Sequence, residues 1–127
     1  MKKFLLSDPK LLLYGFSILF FASYGQTFFI SLFNTEIRLF YSLSDGEFGL
    51  VYAIATLSSS FILISFAKLI DHLDLRLYSL IITFGFLLAC LGMVFLVNNI
   101  LYLFLIIFML RFFGQGAMDH AGGTTMA

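Results

Sequence analysis

The sequence predicts an all-α, polytopic membrane protein with four transmembrane helices. Three observations predict it. Hydrophobic residues make up 61% of the 127 residues and charged residues only 11%, where a soluble domain carries about 25% charged and 45–50% apolar residues. The mean hydropathy is +1.06. The apolar residues fall into four long runs, each of which can cover the roughly 30 Å of bilayer hydrocarbon at about 1.5 Å per residue. So much apolar surface cannot be hidden in one small core, and the lipid bilayer is the expected solvent.

Residues 1–10 read as a cytoplasmic lead. Met1-Lys2-Lys3-Phe4-Leu5-Leu6 imitates the start of a signal peptide, but Ser7-Asp8-Pro9-Lys10 breaks it and no small-residue cleavage site follows. Span one covers about 11–33, between Pro9-Lys10 and Asn34-Thr35-Glu36. A loop is expected over 34–46. Span two covers about 47–70, and Ser44-Asp45-Gly46-Glu47 reads as its capping box. A short polar turn leads to span three, about 77–97. Asn98-Asn99 then predicts a tight turn into span four, about 100–127.

Basic residues set the orientation. With the N-terminus inside, the cytoplasmic segments hold Lys2, Lys3, Lys10, Lys68 and Arg76, and the outer loops hold Arg38 alone. The expectation is a multi-pass protein of the cytoplasmic membrane with its N-terminus in the cytoplasm. Span four ends on Asp119-His120 and a Gly/Thr-rich tail without a basic anchor, which predicts a chain interrupted inside helix four.

Several function classes are disfavoured. Formal net charge is zero, which argues against a nucleic-acid partner. No Cys/His pattern has metal-ligand spacing, and Cys90, alone in an apolar run, reads as an inert buried thiol. No nucleotide-binding loop is present, so no cofactor is expected. No Ser/His/Asp set or carboxylate pair shares one membrane depth, so an enzyme is not expected either.

Two charged places carry the functional reading. In the turn Ala67-Lys68-Leu69-Ile70-Asp71-His72-Leu73-Asp74-Leu75-Arg76, the side chains Lys68, Asp71, Asp74 and Arg76 can form an ionic cluster at the headgroup boundary. Such a cluster can hold one conformation and release it in another. The other place is Arg111 inside span four, followed by Gly114-Gln115-Gly116. An arginine at a helix centre costs roughly 2.5–3.5 kcal/mol on insertion scales. It is expected to face the bundle interior as a gating, substrate-charge or proton-coupling group, or else as a structural arginine bonded to oxygens of spans one or two. On an α-helix, Arg111, Gln115, Met118, Gly122 and Thr125 share one face, and Gln115 can bridge Arg111 to Asp119. Gly114, Gly116, Ala117 and Ala121 supply small surfaces for close helix approach.

In span one, Ser17, Tyr24, Thr27 and Ser31 form a helical stripe. Gln26 points the other way, toward a neighbouring helix. Span two adds Tyr52, Thr56 and Ser58-Ser59-Ser60.

The 67–76 turn resembles the signature loop of the major facilitator superfamily, Gly-x-Leu-Ala-Asp-Arg-x-Gly-Arg-Arg between helices two and three. Leu69, Asp71 and Arg76 match; Ala67, His72, Asp74 and Leu75 depart from it. Arg111 with the Gly-rich stretch after it resembles that family's helix-four signature. The resemblance spans about 11–127 and implies the first four helices of a twelve-helix secondary transporter. It implies alternating access by two rocking halves around a midplane site, with Asp71 latching the outward-facing state. It also makes Tyr24 and Thr27 candidates for contact with a small-molecule solute, in a cavity wall that span one lines. The remaining helices of the full-length transporter would then be this chain's partners, and the chain alone would be inactive. Two other readings stand beside it. One is a small four-helix carrier acting as a dimer, which the lack of a carboxylate in residues 11–33 disfavours. The other is a non-transporting scaffold, which Arg111 disfavours.

Overall fold

The computed structural model describes residues 9–68 and 72–126. Helices and short connections account for all of them, with no strand among the described residues. Four helical stretches, Pro9–Leu32, Asp45–Ala67, Leu75–Val94 and Ile100–Thr125, are long and apolar enough to cross a membrane, as a multi-pass membrane protein requires.

Two of the four are not continuous α-helices. The first comprises α1 (Pro9–Ala22), a 3₁₀ turn (Ser23–Gly25) and α2 (Thr27–Leu32), with Gln26 extended between the last two. The fourth comprises α6 (Ile100–Met109), a π-helical segment (Leu110–Met118) and α7 (Asp119–Met126). The sequence pattern leads one to expect continuous helices here. Mean hydropathy is blind to the winding of a helix, and both breaks fall beside glycine.

A second correction concerns 34–46. Most of it is a helix, α3 (Asn34–Tyr41), not a loop. Ile37 and Tyr41, four residues apart, are buried on one face while Leu39 and Phe40 are exposed, the pattern of a surface helix. Ser42 ends it in the left-handed conformation at φ 54°, and Arg38 pairs with Asp45 across the turn. The capping box then starts α4 (Asp45–Ala67): the Ser44 hydroxyl accepts from the Glu47 N–H at 3.3 Å, and the Glu47 carboxylate accepts from the Ser44 N–H at 2.8 Å. The turn into the fourth stretch is also longer than the Asn98-Asn99 pair predicted. α5 (Leu75–Val94) stops before Phe95. Asn99 caps α6, its Oδ1 accepting from the Leu101 N–H at 2.8 Å.

The fourth stretch sits at the centre. Its π-helical segment touches α1, the 3₁₀ turn, α4 and α5, and α7 lies along α1. Ala117, Ala121, Ile107 and Leu103 are fully buried. Tyr14 shares a hydrogen bond with Ser79, tying α1 to α5, and Tyr102 donates to Gly92 O at 2.9 Å, tying α6 to α5. The outside is greasy: Leu13, Phe16, Leu32, Leu57, Phe61, Phe84 and Leu101 are all exposed. Apolar surface on that scale demands a lipid or protein cover.

Candidate functional site

A helix break frees backbone groups, and those groups need partners when water is excluded. In the first stretch the N–H groups of Phe29 and Ile30 both turn to Gln26 O at 3.2 Å. The Gly25 carbonyl thereby loses its usual partner within the helix. Arg111 Nη1, from the π-helical segment, donates to that carbonyl at 3.4 Å and to Thr27 Oγ1 at 3.0 Å. Tyr52 of α4 donates to the same Thr27 oxygen at 2.9 Å. Both lone pairs of the Thr27 hydroxyl are therefore occupied. The guanidinium carbon stands 5.4 Å from the centroid of the Tyr52 ring, within the range of a cation–π contact.

The arginine is buried, with 9% of its surface exposed, near the middle of the 26-residue stretch Ile100–Thr125. Its attraction to a carbonyl, a hydroxyl and an aromatic face offsets part of the cost of removing a cation from water. The satisfaction is incomplete. Arg111 Nε and Gln115 Oε1 are buried without a hydrogen-bond partner in the protein. Orphaned buried polar atoms of this kind are uncommon and call for an explanation.

Glycine makes the approach possible. A Cβ on Gly25 would stand 2.6 Å from Leu110 O, 2.8 Å from Gly114 Cα and 2.9 Å from Gln115 N. A Cβ on Gly114 would meet Gly25 Cα at 2.8 Å and the Phe86 ring at 2.8 Å. The two breaks thus meet backbone to backbone. Gly116 lies under Leu63, and a Cβ on Gly122 would meet Leu19 at 2.6 Å. Ala117 and Ala121 are fully buried.

The other residues singled out from sequence divide into three groups. Gln26 does reach a neighbouring helix: its Nε2 donates to Asp119 Oδ2 at 2.8 Å. The expected Arg111–Gln115–Asp119 bridge does not form, because Asp119 takes Gln26 as its partner. A π-helical turn also takes in an extra residue, so α-helical spacing no longer places side chains there. The stripe of span one is interrupted as well. Ser17 and Ser31 bond back to their own helices, at Leu13 O (2.8 Å) and Phe28 O (2.7 Å), and Tyr24 stands edge-on to Phe29 with centroids 4.9 Å apart. Of that stripe only Thr27 reaches the arginine. In the turn, Lys68, Asp74 and Arg76 are exposed and form no ion pair among the described residues; Asp71 lies outside the described residues.

Sequence reasoning missed Gly25 and the role of Tyr52. The available signal was Gly25-Gln26-Thr27 inside an apolar run, since an interior glycine and two polar residues all weaken an α-helix. Among the described residues no cluster of His, Cys, Asp or Glu could hold a metal ion. What the arrangement can do is hold the guanidinium cation in an apolar interior against two irregular backbone segments. No protein-family model, no curated protein and no solved structure matches this chain.

Proposed function

We propose that this chain is part of a secondary active transporter of the major facilitator type, moving a small solute across the cytoplasmic membrane by alternating access. The observation that carries the reading is the buried Arg111 guanidinium, held by the Gly25 carbonyl and Thr27 where a broken helix meets a π-wound one. Discontinuous helices near the bilayer midplane are how secondary transporters build solute and ion sites. Segments of π-helix are frequent at functional positions, and ionisable groups inside membrane helices mark solute and proton paths.

In this reading Arg111 attracts the charge of the solute or of the coupling ion. Thr27 and Tyr52 hold its geometry. The Gln26–Asp119 bond couples the helix-one break to the fourth helix, so that loading Asp119 with a proton weakens the grip on Gln26 and lets the break rewind. The 67–76 turn, with Asp71 and Arg76, is the cytoplasmic latch. Driving force comes from an ion gradient.

The test is uptake by proteoliposomes carrying the product of the natural open reading frame, under an imposed proton or sodium gradient, with a panel of small carboxylates and neutral solutes. Gradient-dependent accumulation of at least one solute is expected, abolished in Arg111→Ala and strongly slowed in Arg111→Lys, which keeps the charge but not the planar fork. Accumulation that persists in Arg111→Ala would take the arginine out of the mechanism. No gradient-dependent uptake across the panel would remove the transporter reading.

A further inference from the structure

A second cavity borders the arginine cradle. It has a volume of about 720 Å³ and opens between the 3₁₀ turn, α2, α3, the end of α5 and Leu110 at the head of the π-helical segment, and none of Arg111, Thr27 or Tyr52 lines it. The volume is that of a drug-sized ligand pocket. Four aromatic side chains, Tyr24, Phe29, Phe33 and Phe40, contribute to the wall. Tyr24, Phe29 and Phe33 form a run of edge-on contacts with centroid separations of 4.9 and 5.5 Å. In each edge-to-face pair one ring face receives the edge of its neighbour, and the opposite faces carry negative lobes of the quadrupole.

Glu36 is the one charged residue of the wall. It is exposed and forms no ion pair among the described residues, since the nearby Arg38 is turned to Asp45. The cavity therefore combines an apolar aromatic wall with one uncompensated negative charge. An anion would be repelled by Glu36, and a sugar would find few donors or acceptors. A lipid tail would fill the volume without using the carboxylate. The complement of this surface is an apolar, aromatic molecule with a delocalised positive charge. Ring faces attract such a cation, and little hydration has to be stripped from it.

We propose that this cavity binds lipophilic organic cations, with Glu36 as counter-ion and the Tyr24–Phe29–Phe33 aromatics as the stacking wall. The site adjoins the Arg111 cradle through Tyr24 and Leu110 but contains none of its hydrogen-bonding side chains, and its occupancy is read by binding alone, without transport.

The chain carries its own reporter. Cys90, the sole cysteine, is half-buried rather than fully buried as its apolar run predicts, and it lines the cavity. The protein is placed in phosphatidylglycerol nanodiscs, which offer no cationic headgroup, and Cys90 modification by N-ethylmaleimide is followed by mass spectrometry with and without tetraphenylphosphonium. The cation is expected to slow modification severalfold. Glu36→Gln should raise the half-protecting concentration roughly tenfold, equivalent to ~1.4 kcal/mol, while Glu36→Asp, which keeps the charge, stays close to the parent. Three results would overturn the proposal: no reaction of Cys90 in ligand-free protein, no protection by the cation, or equal protection by neutral tetraphenylsilane or in Glu36→Gln. The last of these would identify a lipid-tail cavity instead.

Discussion

Thr27 is the residue on which the cradle turns, because one hydroxyl oxygen accepts from both Arg111 (3.0 Å) and Tyr52 (2.9 Å). Thr27→Val keeps the shape and removes the acceptor that Arg111 and Tyr52 share at the exposed rim of the cradle. The expected cost is about 0.5–1.5 kcal/mol, seen as a lower midpoint of thermal unfolding in detergent, with Thr27→Ser close to the parent. A Thr27→Val midpoint equal to the parent would show that the two donors find other partners. Much of this site was legible at the residue scale, since a cation, an amide or a hydroxyl in an apolar run must find a partner. That logic singles out Arg111 and Gln26, whereas Thr27 is marked by the span-one stripe and, through the family resemblance, as a candidate for solute contact. It did not pair them correctly, because Gln115 and Asp119 were related by α-helical spacing that the π-helical segment does not keep.

At the scale of elements, the site exists because two irregular segments face one another across glycines. Gly25→Ala places a methyl group 2.6 Å from Leu110 O, and Gly114→Ala places one 2.8 Å from Gly25 Cα. Backbone on both sides cannot yield as a side-chain tip can, so each substitution should destabilise by about 1–3 kcal/mol through overpacking. Gly123, where an added methyl group would have nothing within 4 Å, is the control. Gly123→Ala should be neutral or slightly stabilising. If all three alanine variants melt alike, the close approach of the two breaks is not a feature of the folded protein. Elements were legible where local chemistry decides them, as with the Ser44–Glu47 capping box. They were not legible where tertiary contact decides them. At the helix-one break Arg111 takes the freed Gly25 carbonyl, and residues 25 and 111 are distant in sequence. α3 left a fainter trace, the Ile37/Tyr41 spacing inside a segment whose polar residues suggest a loop.

For the whole molecule, the outline is set by solvent. Exposed Leu and Phe side chains cover the long helices, while Arg111 is buried at the centre and Arg38, Asp45, Lys68, Asp74 and Arg76 lie at or near the turns. By the distribution of Lys and Arg in the sequence, the 68–76 turn is expected in the cytoplasm and the α3–α4 turn outside. In a Cys90→Ser background, His72→Cys should react with a membrane-impermeant maleimide only from the cytoplasmic face of oriented vesicles, and Ser42→Cys only from the outer face. The reverse pattern would invert the topology; labelling of both positions from one face would mean that α4 does not cross. The number of long apolar helices was legible because hydropathy summed over a helix averages out local detail. The central position of the fourth was not, since its two small-residue and polar faces both turn inward and hydropathy alone ranks it with its neighbours.

The central claim is that the Arg111 guanidinium sits inside the bundle, bonded to the carbonyl that the helix-one break releases. The most direct measurement is a solid-state NMR dipolar coupling in lipid bilayers between ¹⁵N-labelled arginine side chains and ¹³C-carbonyl glycine, with Arg111→Lys and Gly25→Ala assigning the signal. An Arg111–Gly25 coupling that corresponds to a nitrogen–carbon separation of about 5 Å or less is expected for a hydrogen-bonded pair. Its absence, with the guanidinium exchanging freely with bulk water, would contradict the account.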